Sequence, residues 1–77
     1  MSLRRVLACN LRRLRAERGL SQEELAHRAG LNRNYVGMLE REENAATIDT
    51  LERLAAVLDV PASELLEAAA GGEGNAP

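Results

Sequence analysis

Few residues of this 77-residue chain carry side chains suited to chemistry, and those few favour hydrogen-bonded recognition over bond making. Arg33 and Asn34 stand side by side. An arginine can donate two parallel hydrogen bonds to O6 and N7 of guanine, and an asparagine can pair in the same two-point manner with N6 and N7 of adenine. The plainer alternative is that both are solvated residues at the start of a helix. No nucleophile has a base beside it, no glycine-rich loop could cradle a phosphate, and no group of residues has metal-ligand spacing. The single histidine, His27, has no second ligand near it and reads as a surface residue. The single cysteine, Cys9, excludes an internal disulfide and fits a reducing compartment. It falls between Arg5 and Arg13 at i ± 4, where two cations would lower a thiol pKa; an ordinary small helical residue is the simpler reading. These residues describe a protein that is not an enzyme and has no evident cofactor, metal or small-molecule ligand.

The net charge of −2 conceals an uneven distribution. Residues 1–46 hold nine arginines against six glutamates, whereas residues 47–77 hold one arginine against six acidic residues. The first 18 residues alone carry six arginines and one glutamate. A surface that binds a polyanion is a local patch rather than a global sum. The N-terminal half could supply such a patch; the C-terminal half would repel a phosphate backbone. No stretch approaches the roughly 18 apolar residues needed to cross a bilayer. The N-terminus also lacks an uninterrupted apolar run of signal-peptide length. The expectation is a soluble, cytoplasmic protein with no membrane partner.

Helices must position these residues, because Leu, Ala, Arg and Glu dominate and no alternating β-branched run suggests a strand. Phe and Trp are absent, so the core must be aliphatic. A chain this short allows one domain, placed at residues 1–70, with the GGEGNAP tail of residues 71–77 expected to be disordered. Leu3, Leu7, Leu11 and Leu14 make one stripe of a first helix over residues 3–18, ended by Gly19. Ser21 and Glu24 read as a reciprocal capping box for a second helix over residues 22–29, which buries Leu25, Ala26 and Ala29 and ends at Gly30. Leu31 plugs the turn, and Asn32 caps a third helix over residues 33–42 with Val36 and Leu39 inward. Gly37 and Met38 fall one turn beyond Arg33 and Asn34 on the outward surface. A mid-helix glycine costs roughly 1 kcal/mol relative to Ala, a cost that makes sense if a bulky side chain there would block the approach of a ligand. Thr47 caps a fourth helix over residues 48–58, with Ile48, Leu51, Leu54, Ala55 and Leu58 as its stripe. Pro61 precedes a fifth helix over residues 62–69.

Residues 21–40, SQEELAHRAGLNRNYVGMLE, therefore form two short helices joined by a tight turn at Gly30, with the small Ala26 where they cross. This is a helix-turn-helix arrangement. With Arg12 and Arg15 before it, and with GLSQEELA, GLN, ERE and LERLAAVLDV at matching spacings, the chain resembles the lambda-repressor-like, Cro-type (XRE) helix-turn-helix family over about residues 7–67. Glu42 departs from the glycine that often ends helix 3 in that family, and Ala46 from a frequent proline. Glu42 and Glu43 also place negative charge close to the expected DNA backbone.

The resemblance implies an all-α, compact five-helix domain. It implies a transcriptional regulator that binds double-stranded DNA sequence-specifically, as a homodimer on a palindromic operator with helix 3 in the major groove. It assigns base contacts to Arg33, Asn34, Gly37 and Met38. Phosphate contacts fall to Gln22, Asn32, Tyr35, Arg12, Arg41 and Asn44. An ion pair between Arg15 and Glu40 would orient the recognition helix without touching DNA. The expected dimer surface is Val60, Leu65, Leu66 and Ala69, unless those leucines fold back onto the monomer's own core. NRNYVGMLERE followed by TIDTLERLA looks most like the controller proteins of restriction–modification systems. The competing reading is an antitoxin-like or scaffold protein that uses this fold mainly to bind another protein, although the tail is short and poor in apolar residues for that task.

Overall fold

A computed structural model describes residues 2–68 of the chain. It contains α1 (Leu3–Glu17), α2 (Gln22–Arg28), α3 (Tyr35–Glu40), α4 (Ile48–Leu58) and a 3-10 segment, Ala62–Leu66. Three hydroxyls start helices. Ser2 Oγ accepts from the Arg5 N–H at 3.2 Å, Ser21 Oγ from Glu24 N–H at 3.0 Å, and Thr47 Oγ1 from Thr50 N–H at 3.1 Å. Each satisfies one donor that has no partner inside its helix. The box at Ser21 closes on one side only, because the Glu24 carboxylate accepts from Arg28 at 3.1 Å.

All four helices end in the same way. The N–H two residues past the last turn reaches back to a carbonyl five residues earlier: Leu20 to Arg15, Leu31 to Ala26, Glu43 to Met38 and Val60 to Ala55. This closure needs a left-handed residue just before it. Gly19 (φ 66°) and Gly30 (φ 73°) supply it after α1 and α2, whereas Glu42 (φ 62°) and Asp59 (φ 59°) must adopt it after α3 and α4.

The core is aliphatic, with Leu11, Leu14, Leu25, Val36, Leu39, Leu54, Leu58 and Leu65 all at 2% exposure or less. Each such side chain contributes about 1.5–3 kcal/mol through removal from water. α1 packs on α3 and on the 3-10 segment, α2 packs on α3, and α4 packs on α2 and the 3-10 segment. The helix-turn-helix unit is thus backed by α1 on one side and α4 on the other.

The expected all-helical architecture is present, with corrections at its ends. α3 begins at Tyr35, two residues later than expected. Asn32 does not cap it; its Oδ1 accepts from the Asn34 N–H at 2.9 Å, which fixes residues 32–34 as a turn, and Asn34 takes the cap position without a side-chain bond. The fifth helix is a single 3-10 turn, followed by Glu67 in extended backbone. Its carbonyls are taken by a side chain from α1 (below) rather than by further helical turns. Leu3 and Ile48 head the apolar stripes of their helices yet are 62% and 75% exposed, because each is the first residue of a helix that overhangs the core. Ala69 and the tail of residues 71–77 lie outside the described residues.

Candidate nucleic-acid interface

The outer edge of the helix-turn-helix unit is held from within by one buried carboxylate. Glu40, in the last turn of α3, is 1% exposed. Its Oε2 accepts from Arg15 Nε at 2.9 Å, and its Oε1 accepts from Arg15 Nη2 at 2.9 Å and from Gln22 Nε2 at 3.0 Å. Arg15 Nη1 also donates to the Leu20 carbonyl at 3.0 Å. The planar guanidinium fork thus ties α1, the loop before α2 and α3 together. The hydrogen bonds to Glu40 hold the Arg15 guanidinium above its ordinary pKa, against the opposing effect of burial. Arg12 adds a further tie, donating to the backbone carbonyl of Glu40.

This network explains Gly37. The residue is buried, and a Cβ there would lie 3.2 Å from Gln22 Oε1 and 3.1 Å from an Arg41 guanidinium nitrogen. Gly37 therefore does not face outward as expected. It lets Gln22 cross α3 on the way to Glu40. Gln22 itself is half-buried and committed to the carboxylate.

The remaining assigned residues form the exposed rim. Arg33 and Asn34 are exposed in the turn that enters α3, and Met38 is half-buried one turn later. Arg33 Nη2 donates to Glu23 Oε2 on α2 at 3.1 Å. Arg41 Nε and Nη2 donate to the two oxygens of Glu43 at 2.9 and 3.2 Å. The hydrogen bond from Arg41 holds the Glu43 carboxyl below its ordinary range. Tyr35 is half-buried, and its hydroxyl donates to the Ala45 carbonyl at 3.4 Å. Asn32 and Asn44 are exposed. Arg33, Asn34, Met38, Arg41 and Asn44 therefore line α3 and its flanks, while Arg12 is held at the C-terminal end of α3 by Glu40.

Two residues escaped the sequence reading. Asn10 is 1% exposed, and its Nδ2 donates to the carbonyls of Leu65 at 2.8 Å, Glu67 at 2.9 Å and Glu64 at 3.3 Å. A polar residue three positions after Leu7 and four before Leu14, on the apolar face of α1, was the available signal. Glu23 gave none, since its partner Arg33 is ten positions away and is reached only through the fold. Of the expected dimer residues, Leu65 is fully buried in the monomer core because it packs between α1 and α4, while Val60 and Leu66 are half-buried. Among the described residues no group of His, Cys, Asp or Glu could hold a metal ion, and no helix is long and apolar enough to cross a membrane.

Residues 11–65 match the family model described as Helix-turn-helix. The chain is 47% identical over 64 residues to a hypothetical transcription factor of Neisseria meningitidis serogroup B, covering 83% of this chain but 60% of the relative's length. The solved hypothetical transcription factor from Neisseria superposes with a TM-score of 0.85 at 45% identity, over 87% of this chain and 77% of that one. The restriction–modification controller protein C.AhdI from Aeromonas hydrophila superposes at 0.77 with 40% identity, over 80% and 94% of the two chains. The biofilm regulator SinR, solved in complex with DNA, superposes at 0.75 with 35% identity, over 79% and 98%.

Proposed function

Because the chain belongs to the helix-turn-helix family, we propose that it is a transcriptional regulator that binds double-stranded DNA sequence-specifically. It reads a major groove with the turn that enters α3. The observation that carries this reading is the pairing of an exposed edge, Arg33 and Asn34, with a buried network around Glu40 that fixes how α3 stands on α1 and α2. Base-edge recognition depends on such fixed orientation, since the hydrogen bonds that discriminate bases are short and directional. SinR, of the same fold, is solved on DNA. The similarity to C.AhdI favours a restriction–modification controller among the possible regulatory systems.

A single protomer covers about a half-site, so the regulator acts as a homodimer on two half-sites about one helical turn apart. With Leu65 committed to the core, the dimer surface shifts to Leu66 and its surroundings. Leu66 and Leu3 line one apolar groove with Leu7, Ala46 and Leu51. Ile48 lies one turn before Leu51 on the same side of α4 and is exposed. Covering this groove and Ile48 removes Leu3 and Ile48, the large apolar side chains that stand exposed among the described residues, from water.

Selection of bound sequences from a random duplex pool tests the proposal. The expected result is an enriched palindrome with half-site centres about 10 base pairs apart. Arg33→Ala should cost roughly 1–3 kcal/mol on that operator and relax preference at one base pair. Absence of enrichment, with only weak salt-sensitive binding, would overturn the reading in favour of a protein-interaction module.

A further inference from the structure

Arg33 is not free in this protein. Its Nη2 donates to Glu23 Oε2 at 3.1 Å, across the turn between α2 and α3, while both side chains stay largely exposed, at 74% and 62%. An ion pair so exposed adds little to stability and is screened by salt. Its position, at the residue assigned to base reading, gives it another use. We infer that Glu23 is a specificity-determining residue: it holds Arg33 as a neutral pair, so that Arg33 engages a base edge and not the nearest phosphate. This inference rests on the reading of Arg33 as a base contact.

The argument is one of range. The attraction between an arginine and the phosphate backbone is long-ranged, carries no sequence information, and supplies most of non-specific binding. A free arginine on a long side chain gains from any phosphate within reach. Paired with Glu23, the two side chains have no net charge and exert little pull on the backbone. The pair takes one of the two Nη2 hydrogens, and among the described residues the guanidinium makes no other bond, so one fork, the second Nη2 hydrogen with that of Nη1 or Nε, stays open to donate two parallel bonds to guanine O6 and N7. Glu23 thus lowers affinity for arbitrary sequence more than affinity for the right one. The two residues sit on adjoining elements, Glu23 in the first turn of α2 and Arg33 in the turn before α3, so the restraint survives as long as the helix-turn-helix unit is folded.

The full chain carrying Glu23→Gln tests this, with binding to the selected operator and to an unrelated duplex measured across a salt series. Affinity for the unrelated duplex should rise several-fold, and the ratio of operator to unrelated binding should fall. The slope of log affinity against log salt on unrelated DNA should steepen by about one per protomer, because Arg33 now takes a phosphate. In an Arg33→Ala background the same Glu23→Gln change should do nothing. A rise that persists in that background would mean simple charge repulsion by Glu23 and would overturn the inference, as would an unchanged ratio in Glu23→Gln alone. If instead Arg33→Ala by itself left base preference intact, the assignment of Arg33 would fail, separately from the role of Glu23. Both side chains are exposed, so thermal unfolding of each variant should match that of the parent.

Discussion

Two arginine–glutamate pairs meet at the C-terminal end of α3, with the same shortest hydrogen-bond length and opposite surroundings. Arg15 meets Glu40 at 2.9 Å inside the junction of α1, α2 and α3, where the carboxylate side chain is 2% exposed. Arg41 meets Glu43 at 2.9 Å on the outer surface, where both side chains are more than half exposed. Geometry alone would rank them equal. Burial makes the inner pair a fixed joint, since the Glu40 carboxylate has no water to take in place of its partner. The outer pair can be given up to any competing anion. The proposed DNA-facing rim thus carries exposed pairs, Arg33 with Glu23 and Arg41 with Glu43, mounted on a buried one.

Removing the inner carboxylate should break the comparison most visibly. Glu40→Ala leaves Arg15, only 21% exposed, and the half-buried Gln22 without their acceptor. Breaking a buried pair costs about 3–5 kcal/mol, and the residual exposure of Arg15 places this one near 3. A domain of this size has roughly 4–12 kcal/mol in total. The midpoint of urea unfolding, followed by helical circular dichroism, should therefore fall steeply. Glu43→Gln should leave the same midpoint unmoved. Equal effects from the two variants would mean that burial is not what separates the pairs.

Asn10→Ala is expected to have the next largest effect. It is polar and buried like Glu40, but uncharged, and it serves the far end of α1. Its amide takes the carbonyls of Leu65 and Glu67 at 2.8 and 2.9 Å and that of Glu64 at 3.3 Å, the last of which also accepts from the Glu67 N–H. Truncation should cost about 1–3 kcal/mol. Asn10→Leu should not restore the loss, because the carbonyls of Leu65 and Glu67 would lose the amide that they share. Amide exchange would localise the damage, with protection lost first around Leu65. If Asn10→Leu proved as stable as the parent, the side chain would be acting as filler and not as a cap.

The same division decides what the sequence could tell. Helices with hydroxyl caps and glycine ends were legible because Ser21, Thr47, Gly19 and Gly30 act on neighbours within a few positions. The apolar stripes were legible through helical spacing, although spacing cannot say where a helix overhangs its core, and so Leu3 and Ile48 were counted inward. The turn before α3 was misread because Asn32 has two local uses, cap and turn, with similar chemistry. Gly37 and Glu23 lay beyond local reading altogether. One answers to a glutamine that crosses from α2 and the other to an arginine ten residues on, and only the packed fold brings either pair together.

The smallest effect is expected at Glu42, where the cost lies in the backbone and not in charge. The closures after α1, α2 and α3 share one pattern of hydrogen bonds, and the left-handed residue is glycine in the first two. After α3 it is Glu42, at φ 62°, the position where the family often carries glycine. A side chain there meets its own carbonyl, a strain of about 1–2 kcal/mol, part of which is returned because glycine loses more freedom on folding. Glu42→Gly should therefore raise stability by about 0.5–1 kcal/mol, while Glu42→Gln, which removes the charge but keeps the Cβ, should leave it unchanged. If Glu42→Gln stabilised as much as Glu42→Gly, repulsion between Glu42 and the neighbouring Glu43 would be the burden, and the outer carboxylates would interact more strongly than their exposure allows.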